Sequence, residues 1–343
     1  MFLNTAPNTS VIIENKEYLY FSGTSYLGIS TDKKFQNQLT KSIQKWGTSY
    51  GSSRNANLKL SIYADAESYL STFLETEETI TVSSGTLAGL LALKLLATKT
   101  ESFFYMPKTH PAILPENASP VFVKNELNSE VTNPQNETIC IVGDAIAALE
   151  IAPFSFDFLN EIPKSTKVFL LIDESHSLGV LGKNGNGFAN QIQKFNNVET
   201  IQVSSLGKAF GLNGGFISGK SAFINSIKLD ALFIGSAGMN PAFLDCLLNS
   251  AALYKNKLAE LKSNISYLFS ILKNNTKIRI TENYPVLFCD EDAFSDYLFT
   301  KNTIITSFYY ASVPQKMNRI VINANHTKEQ LDVLISQIQQ FSK

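Results

Sequence analysis

Apolar and polar residues follow two different periods along the chain, and these periods predict the order of its elements. Short runs rich in β-branched and aromatic residues predict strands, and longer stretches with apolar residues three and four positions apart predict helices. Because the two patterns alternate, we expect βαβ units and a mostly parallel sheet. The predicted strands are Thr79–Val82, Phe103–Met106, Thr138–Val142, Val168–Ile172, Thr200–Val203 and Gly215–Ser218, and the clearest predicted helices are Thr86–Ala97 and Asp245–Lys273.

The two ends of the chain follow a different pattern. Ser10–Phe21 predicts a strand or hairpin, Arg319–Asn323 predicts a strand, and Lys328–Phe341 predicts a final amphipathic helix. We therefore expect the two ends to form a small α+β domain beside a larger α/β domain. The expected ranges are 45–225 for the large domain and 1–44 plus 226–343 for the small domain.

Length and composition agree with this division and exclude several classes of protein. A chain of 343 residues suits a large domain plus a smaller one. With 44% apolar and 17% charged residues, the composition is that of an ordinary globular protein. The net charge of −1 gives no electrostatic reason to expect nucleic acid or an anionic membrane surface as a partner. The longest apolar run, Leu87–Ala97, is too short to cross a bilayer and contains Lys94.

The cysteines and the N-terminus predict a cytoplasmic protein. Cys140, Cys246 and Cys289 are far apart and have no CxxC spacing, which favours buried free thiols in a reducing compartment. Met1–Ser10 lacks the basic and apolar regions of a signal peptide. The three histidines are not at metal-ligand spacing, so we expect no metal site.

One candidate site residue stands where a predicted strand ends. The run Lys167–Asp173 carries five apolar residues and stops at an acid, and His176 follows three residues later. Parallel strands place their ligand sites beyond their carboxyl ends, so Asp173 would lie at the mouth of a cleft and could hold a cation there. His176 could reach the same ligand. Asp173 could equally cap the next turn and do nothing more.

A second candidate, Lys208, follows the predicted strand Thr200–Val203 in a glycine-containing polar turn. Partial desolvation there would lower the lysine pKa and supply the neutral amine that an imine requires. A nucleotide P-loop does not fit, because Gln202 stands where its first glycine should be and Ala209 stands where Ser or Thr should follow the lysine. A solvated surface lysine is the simpler alternative.

Two further candidates carry weaker signals. Gly85 and Thr86 open a predicted helix after a strand, and free N–H groups at a helix start can bind a phosphate, although an ordinary N-cap has the same residues. His110 could stack on a flat heteroaromatic ring, or it could be a loop histidine without a role.

Together these segments resemble the α-oxoamine synthases, a branch of the fold-type-I PLP (pyridoxal 5'-phosphate) enzymes that includes 8-amino-7-oxononanoate synthase and glycine C-acetyltransferase. The resemblance runs from Tyr18 to about His326, and it implies an aspartate aminotransferase-like, three-layer α/β fold with PLP as the cofactor. The matching segments are Tyr20–Gly28 (the "NYLGL" segment), Tyr50–Arg54 (a Gly/Ser-rich loop ending in arginine), Asp173–Gly187 (the D-[DE]-[AS]-H run with its spaced glycines) and Ser204–Gly211 (the segment of the cofactor lysine).

The resemblance implies a role for each matching residue. Lys208 would form an imine with PLP and later move protons at the substrate Cα. Asp173 would pair with the pyridinium nitrogen and keep the ring an electron sink. His176 would hydrogen-bond the phenolic oxygen of the ring, and His110 would stack on the ring face.

The remaining roles concern the phosphate and the substrate. Gly85, Thr86 and Ser205 would contact the phosphate, and Ser236 would reach it from the neighbouring subunit of a homodimer. Arg319 would clamp the substrate carboxylate with its planar fork.

Three positions depart from the family pattern. Thr24 stands where the family commonly has an asparagine beside the substrate carboxylate. Ala148 replaces a serine near the ring, and Ala237 replaces a phosphate-binding Ser or Thr. These changes leave the PLP assignment intact and leave the substrates open.

The favoured function is a decarboxylative condensation of a small amino acid with an acyl thioester, as in 8-amino-7-oxononanoate synthase. The acyl donor would be an acyl-CoA or an acyl-carrier protein, and biotin biosynthesis is one pathway among several. Two alternatives stay open, because the cofactor machinery is shared. One is a PLP-dependent aminotransferase or an amino-acid lyase or aldolase, and the other is a PLP-fold binding protein that has lost catalysis.

Overall fold

Strands and helices alternate along most of the chain in the computed structural model, which describes residues 2–309 and 316–342. The strands are β1 Ser10–Ile13, β2 Lys16–Phe21, β3 Glu78–Val82, β4 Phe103–Tyr105, β5 Ser119–Pro120, β6 Phe122–Val123, β7 Glu126–Leu127, β8 Thr138–Asp144, β9 Lys167–Asp173, β10 Val198–Ser205, β11 Gly215–Gly219, β12 Ile278–Arg279, β13 Val286–Cys289, β14 Thr303–Tyr309 and β15 Lys316–Val321. The helices are α1 Lys33–Trp46, α2 Ser61–Leu74, α3 Gly85–Leu96, α4 Ser129–Thr132, α5 Ser221–Lys228, α6 Ala231–Gly235, α7 Pro241–Asn249, α8 Ala251–Leu272, α9 Phe294–Thr300 and α10 Lys328–Phe341.

A seven-stranded sheet has the order β3-β11-β10-β9-β8-β4-β5, and it contains all six strands predicted from the alternating pattern. β8, β9 and β10 are parallel to one another, and β11 is antiparallel to both of its neighbours. The sheet is therefore mostly parallel, as expected.

Both faces of this sheet are covered, which explains the nearly continuous apolar run of β9. Successive side chains of a strand point to opposite faces. Phe169 and Leu171 join the apolar cluster that contains Leu91 of α3. Leu170 and Ile172 join a separate cluster on the other face. The result is a three-layer α/β architecture.

A second sheet has the order β1-β2-β14-β15-β13-β12 and joins the two ends of the chain. β2 pairs parallel with β14, with Leu19 opposite Thr303. The predicted hairpin at Ser10–Phe21 is β1 and β2, and the predicted final helix has the bounds of α10. The division into domains at residues 45 and 225 stays a prediction.

The helix predicted over Asp245–Lys273 is wrong as a single element. α7 ends at Asn249, and Ser250 leaves the helical conformation with φ −109° and ψ 8° before α8 begins. Asn249 Nδ2 donates to the backbone oxygen of Asp245 at 2.8 Å. Asn and Ser side chains compete for backbone hydrogen bonds. The pair Asn249 and Ser250 therefore interrupts the helix although the apolar pattern continues. Across residues 2–309 and 316–342, no helix has the length and apolar content needed to cross a membrane.

Candidate active site

Three parallel strands end side by side with polar residues, at Asp144 of β8, Asp173 of β9 and Ser205 of β10. In the sheet register Asp144 lies opposite Asp173, and Asp173 lies opposite Val203 of β10. Asp173 Oδ1 accepts the backbone N–H of Ser175 at 2.8 Å, so the carboxylate does cap its own turn. This hydrogen bond uses only Oδ1 of the carboxylate. The charge of Asp173 also raises the pKa of Lys208.

Lys208 lies in the turn after β10 and is partly buried. Burial lowers the pKa of Lys208, while Asp173 and Asp144 raise it and Arg319 lowers it further; the net shift is downward from the ordinary value. The lysine is therefore not a solvated surface residue. Its amine is neutral more often than that of an ordinary lysine, which is the form that attacks a carbonyl.

Asp144 is a further candidate site residue that was not predicted from the sequence. It is 4% exposed, and burial, followed by the charge of Asp173, raises its pKa to about 8. Its Oδ2 accepts the backbone N–H of His110 at 2.7 Å. The signal was present, because Asp144 closes an apolar strand in the same way as Asp173 does.

His176 and Arg319 meet at a tyrosine that was not predicted as a site residue. Tyr26 Oη lies 2.8 Å from His176 Nδ1 and accepts from Arg319 Nη2 at 2.9 Å. Burial, together with the charges of Lys208, Arg319 and His110, holds the pKa of His176 well below its usual value, so this imidazole is neutral.

Arg319 is a buried cation without an acidic partner in the described chain. It is 7% exposed, and its Nε has no hydrogen-bond partner there. A buried charge costs free energy unless it is paired, so this arginine is suited to an anionic ligand.

His110 lies at a cavity of about 160 Å³ whose lining also includes Asp144 and Ala148. The imidazole is exposed, and its Nδ1 accepts the backbone N–H of Ala112 at 3.1 Å. The alanine that replaces the family serine therefore lies in the same cavity as the proposed stacking histidine.

The start of α3 packs tightly against the ends of β10 and β11. A Cβ on Gly85 would lie 2.8 Å from Ser205 Cβ, and a Cβ on Gly215 would lie 2.6 Å from Gly85 N. Ser84 caps the helix by accepting the N–H of Leu87. In the part of the chain that the structure describes, the N–H groups of Gly85 and Thr86 make no hydrogen bond. Free N–H groups at the positive end of a twelve-residue helix are suited to an anion such as a phosphate.

In the described chain, the side chains of Ser236 and Thr24 make no hydrogen bond to the candidate site residues described above. Ser236 follows α6, and its hydroxyl donates to the backbone oxygen of Leu232 in the same helix. Thr24 lies in the turn before Tyr26, whose N–H donates to the Thr24 oxygen at 2.9 Å. Ala237 is exposed beside Ser236.

A family model described as aminotransferase class I and II matches residues 131–338 of the chain. The chain belongs to this family. The match contains Asp144, Asp173, His176, Lys208 and Arg319.

Two bacterial relatives of this aminotransferase-family chain are named 8-amino-7-oxononanoate synthase, from Lysinibacillus sphaericus and Petrotoga mobilis. Each is 27% identical and covers 99% of this chain and 92% of its own length. The resemblance to the α-oxoamine synthases is confirmed.

Solved structures agree on the fold. A serine palmitoyltransferase variant from S. paucimobilis, described with bound PLP and myriocin, has a TM-score of 0.83 at 19% identity, over 99% of this chain and 91% of its own. The 8-amino-7-oxononanoate synthase of Francisella tularensis has a TM-score of 0.75 at 22% identity, over 94% and 97% of the two chains. The expected PLP-dependent transferase fold is confirmed.

Proposed function

We propose that the chain is a PLP-dependent acyltransferase that condenses a small amino acid with an acyl thioester and releases carbon dioxide and free thiol. The observation that carries the proposal is the convergence of a partly buried lysine with a carboxylate, a neutral histidine and a buried arginine that has no acidic partner in the described chain. Homologues named 8-amino-7-oxononanoate synthase, at 27% identity, support the acyltransferase class.

The residues present fit PLP. Lys208 would supply an amine for its aldehyde, Asp173 would supply a carboxylate for its ring nitrogen, and the N–H groups of Gly85 and Thr86, beside Ser205, would supply donors for its phosphate. When bound, PLP supplies an electron sink that stabilises negative charge at the Cα of an amino acid.

The protein's own side chains divide the remaining work. Arg319 binds the amino-acid carboxylate through its planar fork, because this buried guanidinium has no acidic partner in the described chain. Lys208, with its lowered pKa, removes and returns a proton at the substrate Cα. With PLP bound, the neutral His176 would hydrogen-bond the ring oxygen of the cofactor, and His110 would pack against its ring.

The first experiment tests the cofactor. The purified chain with added PLP should be yellow, and borohydride should fix the cofactor on Lys208, as located by peptide mass spectrometry. Lys208→Ala should lose the adduct, and Lys220→Ala, a change at an exposed lysine paired with Glu199, should keep it. A colourless protein with no reducible adduct at Lys208 would refute the proposal.

The second experiment tests the reaction. Thiol release should require both an amino acid (alanine, glycine or serine) and an acyl donor, either an acyl-CoA or an acyl-carrier protein. Conversion to a pyridoxamine form with amino acid alone would instead identify an aminotransferase. Cleavage of the amino acid without a thioester would identify a lyase or aldolase. No turnover with any amino acid would identify a binding protein.

The third experiment tests a shared site in a homodimer. Ser236 lies on a segment with exposed apolar side chains, Leu232 at 40% and Ile234 at 42% exposure, which suits a subunit contact. If Ser236 reaches the neighbouring cofactor, mixing Lys208→Ala and Ser236→Ala protomers should restore activity. Absence of any regained activity in verified mixed dimers counts against sharing.

A further inference from the structure

The hydroxyl of Tyr26 joins three side chains that come from distant parts of the sequence. Tyr26 is fully buried, and its oxygen lies 2.9 Å from Arg319 Nη2, 2.8 Å from His176 Nδ1 and 3.3 Å from Tyr284 Oη. A buried hydroxyl has one hydrogen to donate and two lone pairs to accept with. These numbers of donors and acceptors restrict how the hydrogens are arranged among the four groups.

The guanidinium of Arg319 can only donate, so the Tyr26 oxygen accepts that bond. The single Tyr26 hydrogen can then go to His176 or to Tyr284. If it went to Tyr284, the hydrogen of Tyr284 would have no acceptor among residues 2–309 and 316–342, and His176 Nδ1 would have to carry a proton. If it goes to His176, Tyr284 donates to Tyr26 and all four groups have partners. Buried polar groups are almost always paired, which favours the second arrangement.

We propose that Tyr26 is a positioning residue that donates its hydroxyl hydrogen to His176 Nδ1, fixes the neutral Nε2–H tautomer of His176, and orients Arg319 at the same time. The tautomer follows because a neutral imidazole carries one hydrogen, so an accepting Nδ1 leaves the hydrogen on Nε2. In the described chain Nε2 makes no hydrogen bond. It is therefore the ring nitrogen that can act on a ligand.

This arrangement couples the donor of His176 to the position of Arg319 through the Tyr26 hydroxyl. An Nε2–H donor stabilises negative charge on a ligand oxygen, whereas an Nε2 lone pair would repel it. The same hydroxyl holds the arginine that takes the carboxylate, so one tyrosine places both donors. The identity of the two ligands, PLP and an amino acid, rests on the proposed function, but the tautomer does not.

The test is nitrogen-15 NMR of the histidine rings in the full chain, recorded with and without PLP. The chain has three histidines, and His176→Asn assigns the signal of His176. His326 is an internal reference: its Nδ1 accepts the Asn323 N–H at 3.0 Å and its Nε2 lies 3.1 Å from the Tyr20 oxygen, so it must be an Nε2–H tautomer. We expect His176 to match His326 at neutral pH. A protonated Nδ1 in His176 would overturn the proposal whether or not the chain binds PLP.

Two tyrosine variants complete the test. Tyr26→Phe should allow both neutral tautomers of His176 and shift the absorbance of bound PLP. It should also weaken amino-acid binding by about tenfold in a spectral titration, since a hydrogen bond to the charged Arg319 is lost. Tyr284→Phe, the matched control, should keep the Nε2–H signal. If Tyr26→Phe left the His176 signal as in the wild type, or if Tyr284→Phe moved it, the assignment of the proton would be wrong.

Discussion

Two arginines with largely buried side chains have opposite surroundings, and the comparison separates a structural ion pair from a candidate ligand site. Arg54 Nη2 lies 2.8 Å from Glu67 Oε1, its Nη1 donates to the Thr81 oxygen at 2.8 Å, and its guanidinium stacks on Tyr63 at 4.5 Å. Arg319 donates to the hydroxyl of Tyr26, and its Nε has no hydrogen-bond partner in the described chain. No acidic side chain there forms an ion pair with it. Arg54 is complete without a ligand, and Arg319 is not.

The two buried histidines differ in the same way. His326 uses both ring nitrogens on the backbone and stacks on Phe21 with ring centroids 4.2 Å apart. Among the described residues, His176 makes a ring hydrogen bond through Nδ1 alone. Burial lowers the pKa of both, that of His326 to about 4, so the pKa does not tell the two sites apart. What separates them is the hydrogen-bonding capacity that each leaves open, because a fold that needs no ligand pairs its buried polar groups.

The largest effect is expected where the pairing is complete. Arg54→Met should lower the free energy of unfolding by about 3–5 kcal/mol, because Glu67 would be left as an unpaired, mostly buried carboxylate. Urea unfolding of the variant and the wild type measures this loss. Amino-acid binding by the folded fraction should be nearly unchanged.

Glu67→Gln is the control for that prediction. The double variant should lose less stability than the sum of the two single variants, since both remove the same pair. Additive losses would mean that Arg54 stabilises the fold through its aromatic contacts and not through Glu67.

Arg319→Met should show the reverse pattern. Amino-acid affinity should fall about 100-fold, equivalent to about 2.7 kcal/mol, because the carboxylate loses its charged partner. The unfolding free energy should stay the same or rise, since an unpaired buried charge is replaced by an apolar side chain. Spectral titration and urea unfolding measure the two quantities. A loss of stability as large as that of Arg54→Met would remove the distinction between the two arginines.

Local sequence pattern was enough to select two of the candidate site residues. Asp173 and Lys208 each follow an apolar strand, so short segments were enough to find them. The contact between Tyr26 and Arg319 spans 293 residues and depends on how β2 and β15 join one sheet, which no local period specifies. Local pattern likewise does not distinguish Arg54 from Arg319, because their partners lie on other elements, and only the family resemblance singled out Arg319.

Asp144 was missed for a different reason. None of the family motifs found in the sequence contains Asp144, so the resemblance gave no signal at that strand end. The simpler physical pattern, an apolar strand that stops at an acid, did hold there. The family resemblance was most useful where motifs were intact, and elementary sheet geometry was more useful where they were not.

Two buried carboxylates allow the comparison to be tested through pH. Burial raises the pKa of Asp144 from 3.8 to about 8, so between these values the folded protein holds a proton that the unfolded chain has released. Its stabilising contribution is complete at low pH and is lost as pH rises. Relative to the wild type, Asp144→Asn should therefore gain stability as pH rises from about pH 5 to about pH 8, by up to about 1.4 kcal/mol for each pH unit. Urea unfolding across this range measures it.

Asp245 is the matched carboxylate with the opposite sign. Burial alone would raise its pKa, but donation from Ser42, Trp46 and Lys45 outweighs burial and holds the pKa below its usual value. Its contribution is present at neutral pH and is lost as pH falls. Asp245→Asn should thus be destabilising near neutral pH, with a difference from the wild type that narrows in acid. Parallel pH profiles for the two variants would contradict this account.

The smallest effect is expected at Thr24, where the family commonly has an asparagine beside the substrate carboxylate. Thr24 lies in the turn that leads to Tyr26, close in sequence to the hydroxyl that holds Arg319. An asparagine there can donate a hydrogen bond from its amide to the substrate carboxylate. Thr24→Asn should therefore tighten amino-acid binding by about threefold, which corresponds to one weak hydrogen bond. Spectral titration of the variant measures it, with Thr9→Asn as a control outside the turn. If Thr24→Asn weakened binding, the threonine would be adapted to this chain's own amino acid, and the departure from the family would mark a different substrate.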